Sequence, residues 1–170
     1  MKGRYALLIG AVAGERVAEL VVSQRNLFWS RERGGVEFGA RHYPVMVALH
    51  TGLLVGCLVE PITLRRRFIG RLGWPMLAVV LAAQGLRWWC IATLGRQWNT
   101  RVVVVPGAAR IAKGPYRFLP HPNYVAVVAE GVALPLVHSA WVTALVFSVL
   151  NAALLRTRIR VEHAALASLT

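Results

Sequence analysis

Residues 114 to 124, GPYRFLPHPNY, set Gly114, Tyr116, His121, Pro122, Asn123 and Tyr124 between long apolar stretches. A plain connecting loop needs far less chemistry. Proline holds the residue before it in extended geometry. Gly114-Pro115 and His121-Pro122 therefore predict an extended backbone whose free N–H and C=O groups can bond the edges of a polar ligand. Lys113 precedes this run, and Arg158 and Glu162 follow it four residues apart, on one face of a helix. Upstream, His42, Met46 and His50 recur at intervals of four with Glu37 just before them. Histidine and carboxylate groups of this kind can orient an oxygen or remove a proton. Glu15, Arg16, Glu19 and Arg87 interrupt apolar segments, where a charge is costly unless it pairs or faces a wet cavity. Pairing of Glu15 or Glu19 with Arg87 is the favoured expectation; for His42 and His50 a ligand role and a structural one stand level.

The elements that must position these residues are written in the composition. Of 170 residues, 56% are hydrophobic, with apolar residues in blocks rather than at amphipathic spacing. A membrane-crossing helix needs roughly 20 mostly apolar residues. The chain predicts an all-α integral membrane protein of about five transmembrane helices, forming one domain over residues 1–170. The first helix covers about 5 to 24, followed by a polar Arg-rich loop. The second runs from Tyr43-Pro44 to about Glu60 and the third from Trp74 to Leu94. From 95 to 123 the chain is long, cationic and non-periodic, with a β-branched run at Val102 to Val105, and loops of that length are usually functional. From Tyr124 to about Arg156 an apolar segment broken by Pro135 and His138-Ser139 predicts a hairpin of two short helices. The last stretch turns amphipathic and is expected to emerge from the bilayer.

Net charge is +13 with no aspartate, yet the basic residues sit mainly at the ends of apolar runs without an aromatic platform for bases. Nucleic acid is excluded as a partner. On the side of the first loop, the long loop and the C-terminal tail lie Arg25, Arg31, Arg33, Arg41, Arg96, Arg101, Arg110, Lys113, Arg117, Arg156, Arg158 and Arg160. Only Lys2, Arg4, Arg65, Arg66, Arg67 and Arg71 face them. The positive-inside rule then predicts a cytoplasmic side shared by the long loop and the tail. Cys57 and Cys90 fall within spans and read as buried thiols, and no metal set is apparent. Lys2, Arg4 and Ala11-Val12-Ala13 mimic a signal peptide, but the apolar run is short and cleavage is not expected.

Taken together, GPYRFLPHPNY, the predicted hairpin and the later RIRVEHAAL resemble the isoprenylcysteine carboxyl methyltransferase family over roughly residues 94 to 166. That family's pattern is G-x-Y, then R-H-P-x-Y, then R-I-x-x-E-E-x-x-L. Two departures stand out: Pro120 replaces an arginine and His163 replaces the second glutamate of the pair. In the N-terminal half, ERVAELVVSQRN, VEFGARHYPVMVALH and Glu60 look like the bacterial branch that O-methylates alkylpyrones.

The resemblance implies S-adenosylmethionine as methyl donor, S-adenosylhomocysteine as product, and a cytosolic cofactor pocket in a bacterial cell membrane protein. It assigns the cofactor to residues 94–170, through Lys113, Gly114, Tyr116, His121, Pro122, Asn123, Tyr124, Arg158 and Glu162. Such a pocket needs a carboxylate for the amino group, donors for the carboxylate and flat walls for the adenine. Glu162, then Arg158 and His121, then Tyr116 and Tyr124 suit those tasks. Residues 1–93 become the side of a lipophilic small-molecule acceptor, oriented by Glu37, His42 or His50 and reached among membrane lipid; a homo-oligomer is left open. Competing expectations are methylation of a prenylcysteine carboxylate or phospholipid amine, and a non-catalytic membrane subunit or small transporter.

Overall fold

The computed structural model describes residues 2–169, with Met1 and Thr170 lying outside the described residues. Five helices dominate: α1 (Lys2–Arg31), α2 (His42–Thr63), α3 (Gly70–Leu94), α4 (Pro122–Leu136) and α5 (Trp141–Leu169). Two short strands, β1 (Val36–Phe38) and β2 (Val102–Val104), pair antiparallel with Glu37 opposite Val103. Short 3-10 turns at Gly95–Gln97 and Gly114–Arg117 flank β2 in sequence.

Among the described residues three helices are long and apolar enough to cross a membrane: α2, α3 with its 3-10 extension, and α5. Five helices are present as expected, and three of them meet the length and composition of a span. At 15 residues, α4 is about 22 Å long, short of the roughly 30 Å hydrocarbon core. Length is no obstacle for α1, at 30 residues, but its charged side chains make its composition too polar. Arg16 and Glu19 turn inward, whereas Arg4, Arg25 and Arg31 are exposed, as are Leu7, Val17 and Val21.

The helix boundaries also differ from the sequence expectation at two places. Continuing to Arg31, α1 takes in much of the stretch expected as a polar loop. Polar residues at this end bond the long loop: Asn26 Nδ2, in the stretch expected as loop, donates to the Trp98 carbonyl at 2.7 Å, and Ser23 Oγ, within the expected helix, donates to Asn99 Oδ1 at 2.8 Å. The hairpin turns at His138-Ser139 as expected, but its second arm is long, because α5 runs unbroken through the amphipathic tail. The β1–β2 pairing closes the first loop against the long one.

The core lies at the end of the bundle away from the strands. Tyr5, Ile9 and Val12 of α1 pack with Leu53 and Cys57 of α2, Val80 of α3, Ala133 and Leu134 of α4, and Phe147 of α5. Tyr5 Oη donates to the Leu134 carbonyl at 2.9 Å, which satisfies a phenol at that depth. Gly131 lets α4 approach α5, since a Cβ there would overlap the Phe147 ring. Glu60, buried near the end of α2, accepts from the backbone N–H groups of Val142 (3.2 Å) and Thr143 (2.7 Å). These are first-turn donors of α5 that its own helix leaves unpaired. Cys57 and Cys90 are buried free thiols.

Candidate functional site

A cavity of about 300 Å³ runs from the strand end of the bundle into its interior. That is at the lower end of the roughly 300–1,000 Å³ usual for small-molecule sites. All five helices, the long loop and β2 contribute to its wall.

Its outer end gathers the two C-terminal motifs. Tyr124 Oη donates to Glu162 Oε2 at 2.8 Å, and His121 Nδ1 lies 3.7 Å from the same oxygen. The His121 ring stacks on Tyr124 with centroids 5.3 Å apart and planes 19° apart. His163, standing at the family's second glutamate position, places Nε2 3.2 Å from His121 Nε2. Instead of adding a second carboxylate it extends the histidine contact. Pro120, the other departure, is exposed and lies off the cavity wall.

Arg158 does not pair with Glu162, four residues on. Its guanidinium is 6% exposed, donates to the Thr100 carbonyl at 2.8 Å and reaches Met46 Sδ at 3.2 Å. No ion pair joins it to a carboxylate among the described residues; its guanidinium lies over the Tyr124 ring at 6.0 Å, a buried cation in the cavity wall without a carboxylate partner. Asn123 contributes a buried carboxamide oxygen without a partner. Burial pushes the Tyr116 phenol well above its usual range, with Cys90 adding to the shift, so this residue stays a neutral hydrogen-bonding group.

Of the remaining residues singled out for the cofactor, Gly114, Pro122 and Lys113 act on or beside the backbone. Gly114 has φ +58°, a left-handed conformation that L side chains rarely adopt, and a Cβ there would press on Thr93. Pro122 is buried in the first turn of α4, where a missing N–H costs nothing. Lys113 is exposed.

At the inner end the cavity meets a buried ion network. Arg16 pairs with Glu19 at 2.6 Å and with Glu130, and Arg87 pairs with Glu130 and, at 3.4 Å, with Glu19. The expected Glu19–Arg87 pair is therefore present, whereas Glu15 accepts from Trp88 Nε1. Glu130 went unnoticed in the sequence. Its signal was a lone carboxylate in an otherwise apolar helix, which obliges a cation nearby.

His50 lines this inner end, with its ring edge-on to Phe147 at 5.3 Å. Asn151, four residues beyond Phe147 on α5, lines it too; it is 2% exposed and its carboxamide oxygen has no partner. This residue was also missed, because one asparagine in an apolar run gives no periodic signal.

His42 and Glu37 go elsewhere. Each i, i+4 step advances a helix by about 40°, so His42 and His50 point about 80° apart. His42 borders a shallow apolar groove between α2 and α5, with Val45, Leu49, Leu150 and Leu154. Glu37 is held in β1 by Arg101 at 2.7 Å and Arg31 at 3.8 Å, off the cavity wall. Among the described residues no cluster of three or more His, Cys, Asp or Glu is arranged to hold a metal ion.

Residues 76–168 match the family model for the isoprenylcysteine carboxyl methyltransferase (ICMT) family, a span reaching further upstream than the motifs alone. The uncharacterized protein YpbQ of Bacillus subtilis (strain 168) is 37% identical over 166 residues, covering 95% of this chain and 96% of that protein. No solved structure matches. The chain belongs to the isoprenylcysteine carboxyl methyltransferase family, membrane methyltransferases that generally use S-adenosylmethionine.

Proposed function

We propose that the protein is a membrane O-methyltransferase that takes S-adenosylmethionine at the outer end of the cavity and a lipophilic acceptor at its inner end. The observation that carries this reading is the continuity of one cavity from Tyr124, Arg158 and Glu162 to His50 and Asn151. The acceptor class we favour is a long-chain alkylpyrone.

The residues present fit the cofactor. Arg158 lacks a carboxylate partner, Glu162 is an acid with only a phenol and an imidazole beside it, and Asn123 has an unused acceptor. An amino-acid end carrying both charges would answer Glu162 with its ammonium group and Arg158 and His121 with its carboxylate. Tyr116 and Tyr124 would wall the adenine. When bound, the cofactor supplies a methyl group activated by a positively charged sulfur. The remaining work for this chain is to align the acceptor oxygen with that methyl and keep water away. No strong base is needed for an acceptor that reaches the site ionised.

The acceptor's tail has an apolar route. Leu154 borders both the cavity and the groove between α2 and α5, and it separates the two. A chain lying in the bilayer would approach from that lateral face, while the polar cofactor enters from the cationic end. With Arg96, Arg101, Arg110, Lys113 and Arg117 near the outer end, that end faces the cytoplasm of a bacterial cell membrane.

The test is incubation of detergent-purified protein with methyl-labelled cofactor and matched-length hydroxypyrones, prenylcysteines and phospholipids. Label is expected in the hydroxypyrone. Label in prenylcysteine alone would keep the family activity and overturn the acceptor, and label in none, with no retained S-adenosylhomocysteine, would favour a non-catalytic membrane subunit.

A further inference from the structure

We infer that the inner end of the cavity selects an acceptor carrying a neutral hydroxyl, phenolic or enolic, and that His50 Nε2 accepts its proton while Asn151 orients it. This rests on the methyltransferase reading above and narrows it. It also adds a proton acceptor that an acceptor arriving already ionised would not need.

The first observation is the histidine tautomer. His50 Nδ1 lies 2.9 Å from the Met46 carbonyl oxygen. A carbonyl can only accept, so Nδ1 carries the hydrogen and the neutral ring keeps its lone pair on Nε2. No protein hydrogen bond occupies Nε2 among the described residues. Phe147 holds the ring edge-on from α5, which limits its rotation.

The second is charge balance. Facing His50 from the surrounding elements are Arg16 of α1, Arg87 of α3 and Glu130 of α4, with Glu19 completing the network. Two arginines meet two glutamates, so the inner end offers no spare cation. Arg101 is matched by Glu37, and the unmatched Arg158 belongs to the outer end. A carboxylate acceptor would be buried there without a counter-charge, which is costly. An acidic enol buried in this charge-balanced end of the cavity regains its proton, because burial disfavours the charged form. It then needs a base at the moment of transfer.

The third is Asn151, nine-tenths buried and more, with its carboxamide oxygen unpartnered on the same wall. It can bond the hydroxyl or a neighbouring ring oxygen. In the step itself the acceptor oxygen bonds the methyl carbon as the carbon–sulfur bond breaks, and the bond's electron pair goes to sulfur. The hydroxyl proton passes to His50 Nε2 and is later released to water at the outer end.

The decisive probe is a long-chain 4-alkyl-2-nitrophenol, yellow only when ionised, titrated into wild-type protein with S-adenosylhomocysteine at the probe's own pKa. Loss of yellow on binding is expected, together with at least tenfold weaker binding of a fatty carboxylate of equal length. Deepened colour, or preference for the carboxylate, overturns the inference and needs no variant. His50→Gln should lower kcat about 100-fold or more, within the range for a lost general base, while S-adenosylhomocysteine affinity is retained. Asn151→Leu should weaken probe binding about tenfold with the same retention. Wild-type kcat in His50→Gln would refute the base, even with methyl transfer intact. Absence of both S-adenosylhomocysteine binding and methyl transfer in the wild type would instead overturn the reading on which the inference rests.

Discussion

Replacing Arg87 by methionine, a side chain of similar length without charge, tests whether the ion network holds the bundle together. Arg87 is 4% exposed and joins Glu130 of α4 to Glu19 of α1. Its removal leaves two buried carboxylates with only Arg16 to serve them. Breaking a buried pair by deleting one partner typically costs about 3–5 kcal/mol, chiefly because the remaining charge is uncompensated. Removing Glu130 as well, in Arg87→Met/Glu130→Gln, deletes one charge of each sign and leaves the Arg16–Glu19 pair intact. The double variant should therefore be more stable than Arg87→Met alone, with a coupling energy of about 1–3 kcal/mol for residues in contact. Equilibrium unfolding in detergent, with the two single variants and the pair, measures each corner of the cycle. A single-variant cost below about 1 kcal/mol, or a double variant whose loss equals the sum of the singles, would refute the claim that these charges depend on one another.

Two further outcomes follow from the same geometry. Cysteines introduced in the 106–113 loop and after Arg160 should both react with a membrane-impermeant reagent from the cytoplasmic side, since both flank the outer end of the cavity; labelling from opposite faces would contradict the orientation. Glu60→Ala should destabilise the protein by about 1–2 kcal/mol, the range for a lost helix cap, because Val142 and Thr143 lose their acceptor; unchanged unfolding would mean that water replaces the carboxylate without loss.

The apolar stretches of α2 and α3 were legible because their residues come in long blocks broken by few charges, and the hairpin turn was legible at His138-Ser139. Tyr124 and Glu162 stood out because they sit in short runs of unusual chemistry, and the structure brings these two within hydrogen-bond distance. What was not legible had no local period. Three-residue strands are too short to show alternation, so the Glu37–Val103 pairing was invisible. Asn26 and Ser30 look like loop residues, and it takes the long loop bonded to Ser23 and Asn26 to reveal a polar helical face, with Ser30 bonded back to the Asn26 carbonyl. Counting by fours put His42 with His50, but the 3.6-residue turn carries them to different walls. Glu130 is a single carboxylate whose partners, Arg16 and Arg87, lie on other helices, and Asn151 is a single buried amide whose oxygen no residue among those described engages.

The claim that the cavity's outer end holds the methyl donor's nucleoside and amino-acid ends is tested most directly by calorimetric titration of S-adenosylhomocysteine into the detergent-purified protein. Saturable binding at one site per chain is expected. Glu162→Gln and His121→Ala should each weaken it at least tenfold, since a hydrogen bond to a charged group contributes about 1.5–3 kcal/mol. Absence of binding to the wild type, or undiminished binding to both variants, would contradict the assignment.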